Sequence, residues 1–145
     1  MTTTQLWIVQ LSRIHKPYPR IILKRDLPDN SNYTVVVVDV DKFMACVRRE
    51  KTFQIPPVQC WAQEKLEGIR QYLDPADTGV PVMARPSIHV VSKKRWFGLR
   101  RPHTYAVVTF TNGRHRSSYM EHAGATQMPI EVPVSQVALF KKHCT

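Results

Sequence analysis

The sequence predicts a single α+β domain, residues 1–145, with a mixed sheet and flanking helices. Three observations lead there. A β-branched run, Tyr33-Thr34-Val35-Val36-Val37-Val38, passes almost directly into a helical pattern. Two further strand-like runs, Ser87–Val91 and Tyr105–Phe110, flank a basic connection. Between these parts, Trp61, Leu66, Ile69 and Leu73 recur near helical spacing and form a core stripe. At 145 residues the chain can bury one core but not two independent ones. With 43% hydrophobic and 22% charged residues it is not a largely disordered chain.

Taken in order, Leu6–Leu11 alternates weakly and reads as a strand, and Arg20–Lys24 carries a second around Ile21-Ile22-Leu23. Leu27–Asn32 is a turn cluster. Tyr33–Val38 then reads as a central strand buried on both faces. Asp41 is a candidate N-cap for a helix over Lys42–Glu50 with Phe43, Met44 and Val47 inward. Pro56-Pro57 opens a second helix, about Val58–Leu73, which ends at Asp74–Gly79. Ser117–His122 is a short helix closed by Gly124, Met128–Val132 a last strand and Val134–Lys142 a terminal helix.

Charge is the least ordinary property. Twenty-one Lys and Arg against eleven Asp and Glu give a formal +10, which points to an anionic partner. The excess is localised. No acid lies between Thr78 and Met120, a stretch that holds Arg85, Lys93, Lys94, Arg95, Arg100, Arg101, Arg114 and Arg116. Because the gap spans two strand-like runs, it reads as an anion-facing surface. Within it, Trp96-Phe97 is interleaved with Lys93, Lys94, Arg95, Arg100 and Arg101. Such a loop suits stacking on single-stranded nucleic acid, and equally suits docking on a protein.

Other classes are set aside. The longest apolar stretch falls far short of the roughly 20 residues a membrane span needs, and Met1–Gln5 lacks a secretory head. No membrane insertion and a cytoplasmic location are therefore expected. Three widely spaced cysteines, without a C-x-x-C pair, match neither a disulfide framework nor a zinc ribbon. Asp39 and Asp41, one residue apart at a strand end, would share a face and offer oxygens to Mg²⁺; the alternative is that Asp41 caps the helix.

The strand Tyr105–Phe110 runs into Thr111-Asn112-Gly113-Arg114-His115-Arg116 and then a helix. Glycine permits a tight turn and close approach to the backbone. The helix start directs free N–H groups and partial positive charge to the same point, and Arg114, His115 and Arg116 add donors. A phosphate suits such a place. A basic turn in which Arg116 is paired within the domain is the other reading, and local residues leave both open.

Phe110–Arg116, followed by Met120, Gly124 and Met128-Pro129-Ile130-Glu131-Val132, resembles the ParB/sulfiredoxin superfamily signature of strand, (D/N)-G-x-H-R, short helix, glycine and strand. Arg85–Val90 is similar to its preceding strand, so the likeness covers about residues 84–132. Within that superfamily the F-T-(D/N)-G-R-H-R form most resembles the Osa-like plasmid fertility inhibition factors, which block conjugative transfer of other plasmids. Val38–Phe43 is also similar to their N-terminal region.

The resemblance implies a ParB/sulfiredoxin-like domain and a phosphate-binding turn of Asn112, Gly113, Arg114, Arg116, Ser117 and Ser118. His115 would be a donor or, in a nuclease, the general acid or base. Arg114 stands where sulfiredoxins place a catalytic cysteine, which argues against sulfinic-acid reduction; the chain is also too short to add the helix-turn-helix and dimerisation tail of full ParB proteins. The implied function is inhibition of conjugation with DNA as partner. A DNase or nucleoside triphosphatase activity, with Mg²⁺ and a nucleoside triphosphate as cofactors, is the enzymatic version. The alternatives are a non-catalytic inhibitor of a conjugation-apparatus protein and a DNA-binding plasmid regulator.

Overall fold

In the computed structural model, which describes residues 4–15, 18–77, 79–95 and 100–145, three antiparallel strand pairs are joined at their edges and covered by helices. Strands β1 (Leu6–Gln10) and β2 (Arg20–Lys24) form the first pair. Strand β3 (Tyr33–Asp39) pairs with β6 (Gln127–Pro133), and β4 (Arg85–Arg95) with β5 (Arg100–Asn112). The helices are α1 (Val40–Arg48), α2 (Gln63–Leu73), α3 (Arg114–His122) and α4 (Val137–Cys144). The predicted α+β class holds, and the mixed character of the sheet comes from two parallel bridges, Lys24 to Val82 and Ala84 to Ile130.

Residues 81–84 are the seam. Lys24 donates its backbone N–H to Pro81 O at 3.0 Å and accepts one from Met83 at 2.9 Å, while Glu131 donates to Ala84 O at 2.9 Å. One short segment thereby ties β2 to β6 and delivers the chain into β4. Behind the strands, Phe43 and Met44 of α1, Phe140 and Cys144 of α4, and Tyr119 and Met120 of α3 are buried. The Phe43 and Phe110 rings meet edge to face with centroids 5.8 Å apart.

Glu131 is fully buried, and its charge is met from three directions. Arg25 Nε donates to Oε2 at 2.7 Å, and the backbone N–H groups of Asp26 and Leu27 donate to Oε1 at 3.1 and 3.2 Å. A carboxylate desolvated this completely is tolerable only with such partners. It fixes the turn after β2 against β6.

Several expectations need correction. Strand β3 is not buried on both faces: its hydrogen-bonded neighbour is β6, and Val36 and Val38 point inward while Val37 is 47% exposed. Helix α1 starts two residues early, capped by Asp39 rather than Asp41; Asp39 Oδ1 accepts from Lys42 N at 2.9 Å. The helix from Val58 is broken. Val58–Cys60 is one 3-10 turn, then Trp61 takes an extended conformation with its indole N–H bonded to Pro56 O at 2.9 Å, and α2 starts at Gln63. The basic connection continues the strands, because Ser92–Thr104 and Lys93–His103 still pair. Helix α3 begins at Arg114, not Ser117. The terminal helix is split into a 3-10 turn, Val134–Gln136, and α4.

Candidate functional site

Strand β5 ends at Asn112, Gly113 makes the turn with φ +94°, and α3 begins at Arg114. The close approach that glycine allows is made to the seam: a Cβ on Gly113 would lie 2.5 Å from the Cβ of Ala84 and 2.6 Å from its Cα. Any other side chain would meet backbone there and would also have to hold a left-handed conformation.

Helical spacing then separates the motif residues onto different faces. Arg116 turns toward the seam, where it donates to Val82 O and, from Nη2, to Asn112 Oδ1 at 3.3 Å. Its guanidinium also lies over the Tyr72 ring, 5.9 Å from the centroid. Asn112 Oδ1 accepts a second bond, from Arg85 N at 3.1 Å. Ser117 donates its N–H to Gly113 O at 2.9 Å and its side chain is fully buried. Asn112, Gly113 and Arg116 thus clasp the β5–α3 turn to the seam, and Ser117 closes the first helical turn behind them.

Arg114 and Ser118, one turn apart, face away from that clasp into a cavity of about 530 Å³ between α1, α3 and residues 50–59. Arg114 donates to Phe53 O and lies between the rings of Phe53 and Phe110, 5.6 and 5.8 Å from their centroids. Arg48 and Lys51 contribute further cations, with Glu50 and Glu121 among the lining acids. Glu121 is paired with Arg48, and Glu50 accepts from Thr52 N at 2.8 Å, a bond that holds its carboxyl below the usual range.

His115 faces α2. Its Nε2 accepts from Lys65 Nζ at 2.7 Å, and its ring meets that of Trp61 edge to face at 5.5 Å. Lys65 also sits over Trp61, 5.6 Å from the ring centroid. Burial, then the charges of Lys65 and Arg114, push the imidazole below the ordinary histidine pKa. With a lysine donating to Nε2, the neutral ring carries its proton on Nδ1.

The remaining candidates are dispersed. Lys93 is exposed on β4, 5.8 Å over the Tyr105 ring. Arg95 and Arg100 pair across the hairpin; the side chains of Lys94, Arg95, Arg100 and Arg101, and all of Trp96 and Phe97, lie outside the described residues. Asp39 caps α1, and Asp41 lies exposed in its first turn. Among the described residues no three His, Cys, Asp or Glu gather as a metal site, so the Asp39–Asp41 pair lacks a third such ligand.

Lys65, Trp61, Phe53 and Arg48 join the site beyond the residues the sequence points to. Lys65 is fifty positions from His115 in the chain, and the α2–α3 packing that joins them leaves no periodic signature.

Among the described residues no helix is long and apolar enough to cross a membrane. Comparison with curated proteins gives no match. The fold is similar to the crystal structure of Oncogenic Suppression Activity Protein, a plasmid fertility inhibition factor, in its gold(I) cyanide derivative. The TM-score is 0.66 at 14% identity, over 97% of this chain and 69% of that one. The Plasmid Fertility inhibition factor family matches residues 35–145, which include α1, the seam, the whole β5–Gly113–α3 unit and α4. On that match over most of its length, the chain belongs to the plasmid fertility inhibition factor family.

Proposed function

We propose that this protein lowers conjugative DNA transfer by binding phosphate groups of DNA or of a nucleotide in the cavity beside Arg114, on a ParB/sulfiredoxin-like domain. The observation that carries the reading is the division of labour on α3. Asn112, Gly113 and Arg116 fix the turn, while Arg114 and Ser118 face open volume together with Arg48 and Lys51. An arginine within cation–π reach of two aromatic rings and bonded to Phe53 O is held in place, and its planar fork suits phosphate oxygens.

Binding is supported better than cleavage. A general base needs an available lone pair, and the Nε2 lone pair of His115 is engaged by Lys65. A nuclease or nucleoside triphosphatase role would require Lys65 to swing away. The test is binding of a labelled single-stranded oligonucleotide and of a nucleoside triphosphate, measured against salt. DNA binding should weaken steeply with salt as counterions are released, and Arg114→Ala should weaken it about tenfold or more. Salt-independent or absent binding would remove phosphate as the ligand.

A second reading, docking on a protein of the conjugation apparatus, is favoured by Phe53. This aromatic is 62% exposed at the rim beside Arg114, and aromatic-arginine pairs are frequent interface anchors. Under this reading Phe53→Ala abolishes inhibition even though the wild type binds no oligonucleotide beside Arg114.

A further inference from the structure

A second cavity lies on another part of the molecule, where the end of α1, the β4–β5 hairpin and α4 meet. Its volume is also about 530 Å³, and it is lined by Arg49, Lys51, Lys93, His103 and His143 with Thr104, Tyr105 and Ala106. This size lies within the range of small-ligand sites, roughly 300–1,000 Å³. Among the described residues no carboxylate lines it, in contrast to the cavity beside Arg114. Among the described residues none of its five basic side chains is ion-paired.

Three of these groups are held in place. Arg49 Nη1 donates to Ala106 O at 2.9 Å, which anchors the guanidinium to β5. Lys93 and His103 are direct cross-strand partners, and both pack on Tyr105: the Lys93 Nζ at 5.8 Å and the His103 ring at 5.7 Å from the tyrosine centroid. Basic groups set opposite each other on paired strands repel when both are charged. The fold brings them together, and among the described residues no carboxylate lines the cavity with them. An anion entering the cavity would relieve that repulsion and meet donors already positioned.

We infer that this cavity is a second anion site, which takes a ligand with several neighbouring phosphate groups, as in a polyphosphate tail or consecutive phosphodiesters of one strand. Density of charge selects this chemistry. Five basic side chains around one small cavity match linked phosphates, whereas the carboxylates of an acidic peptide are spread along a chain. Of the five, only Lys51 also lines the first cavity. The inference stands on its own residues and does not depend on phosphate binding beside Arg114.

Calorimetric titration of the full chain with inorganic tripolyphosphate, a nucleoside triphosphate and a short single-stranded oligonucleotide tests it. Lys93→Ala/His103→Ala should weaken tripolyphosphate binding about tenfold or more, the scale for losing charge-assisted bonds. Arg114→Ala, which leaves this cavity intact, should retain at least one tripolyphosphate site of unchanged affinity. Arg49→Ala/His143→Ala, at residues that line this cavity alone, is the second variant, should the first fail to keep the wild-type melting temperature. An oligonucleotide affected like tripolyphosphate identifies a strand as the source, and a triphosphate alone so affected identifies a nucleotide. No tripolyphosphate binding by the wild type, or equal binding by folded variants of this cavity, would overturn the inference.

Discussion

His115 Nε2 lies 2.7 Å from Lys65 Nζ, and because a lysine ammonium can only donate, the imidazole is the acceptor and is neutral. Proton linkage follows from the depressed pKa. The unfolded chain takes up a proton on this histidine before the folded chain does. The stabilising contribution of the neutral ring is complete above the ordinary histidine pKa of 6.5 and is lost as pH falls from there through the lowered folded value. An NMR titration should place the His115 midpoint below the ordinary value, and Lys65→Ala should move it upward. A midpoint at or above the ordinary value would contradict this geometry.

Gly113→Ala should be strongly destabilising. The new methyl would meet Ala84 at 2.5 Å, at a residue with φ +94°. Left-handed strain and overpacking each cost about 1–3 kcal/mol. A matching fall in melting temperature, with the fold recovered on reversion, is the expected result.

Arg116→Ala should also act on stability, by about 1–3 kcal/mol, because it removes donors to Val82 O and Asn112 Oδ1. Arg114→Ala loses a bond to Phe53 O on the outside of the fold and should shift the melting temperature much less. Chemical denaturation of both variants separates the clasp residue from the cavity residue. Equal destabilisation would mean that the two arginines do the same job.

Glu131→Ala should cost about 3–5 kcal/mol, the range for breaking a buried ion pair from one side. Arg25 would lose its buried partner, and the Asp26 and Leu27 N–H groups would lose their acceptor. Equilibrium unfolding measures the loss directly.

The strand–glycine–helix unit was legible because its signals are local: a β-branched run, a glycine where φ must be positive, and helix-compatible residues immediately after. Residue chemistry also pointed to Arg114 and Ser118 as candidates, and both line the cavity. Their separation from Arg116 became legible only once α3 was seen to begin at Arg114, since three residues of helix rotate side chains onto different faces. The break at Trp61 was hidden because Pro56-Pro57 is an ordinary helix opening, whereas Trp61 is extended with its indole bonded to Pro56 O. The burial of Glu131 in the last strand was not legible, because its partner Arg25 is 106 residues away. The second basic cavity was hidden for the same reason: Arg49, His103 and His143 come from elements far apart in sequence.

The most direct measurement is conjugation frequency from donors that express this chain. The wild type should lower transfer of an unrelated conjugative plasmid at normal growth and plasmid copy number. Arg114→Ala, at an unchanged melting temperature and expression level, should restore transfer toward that of donors lacking the protein. Wild-type donors that transfer at full frequency, or a folded Arg114→Ala variant that inhibits as well as the wild type, would contradict the account.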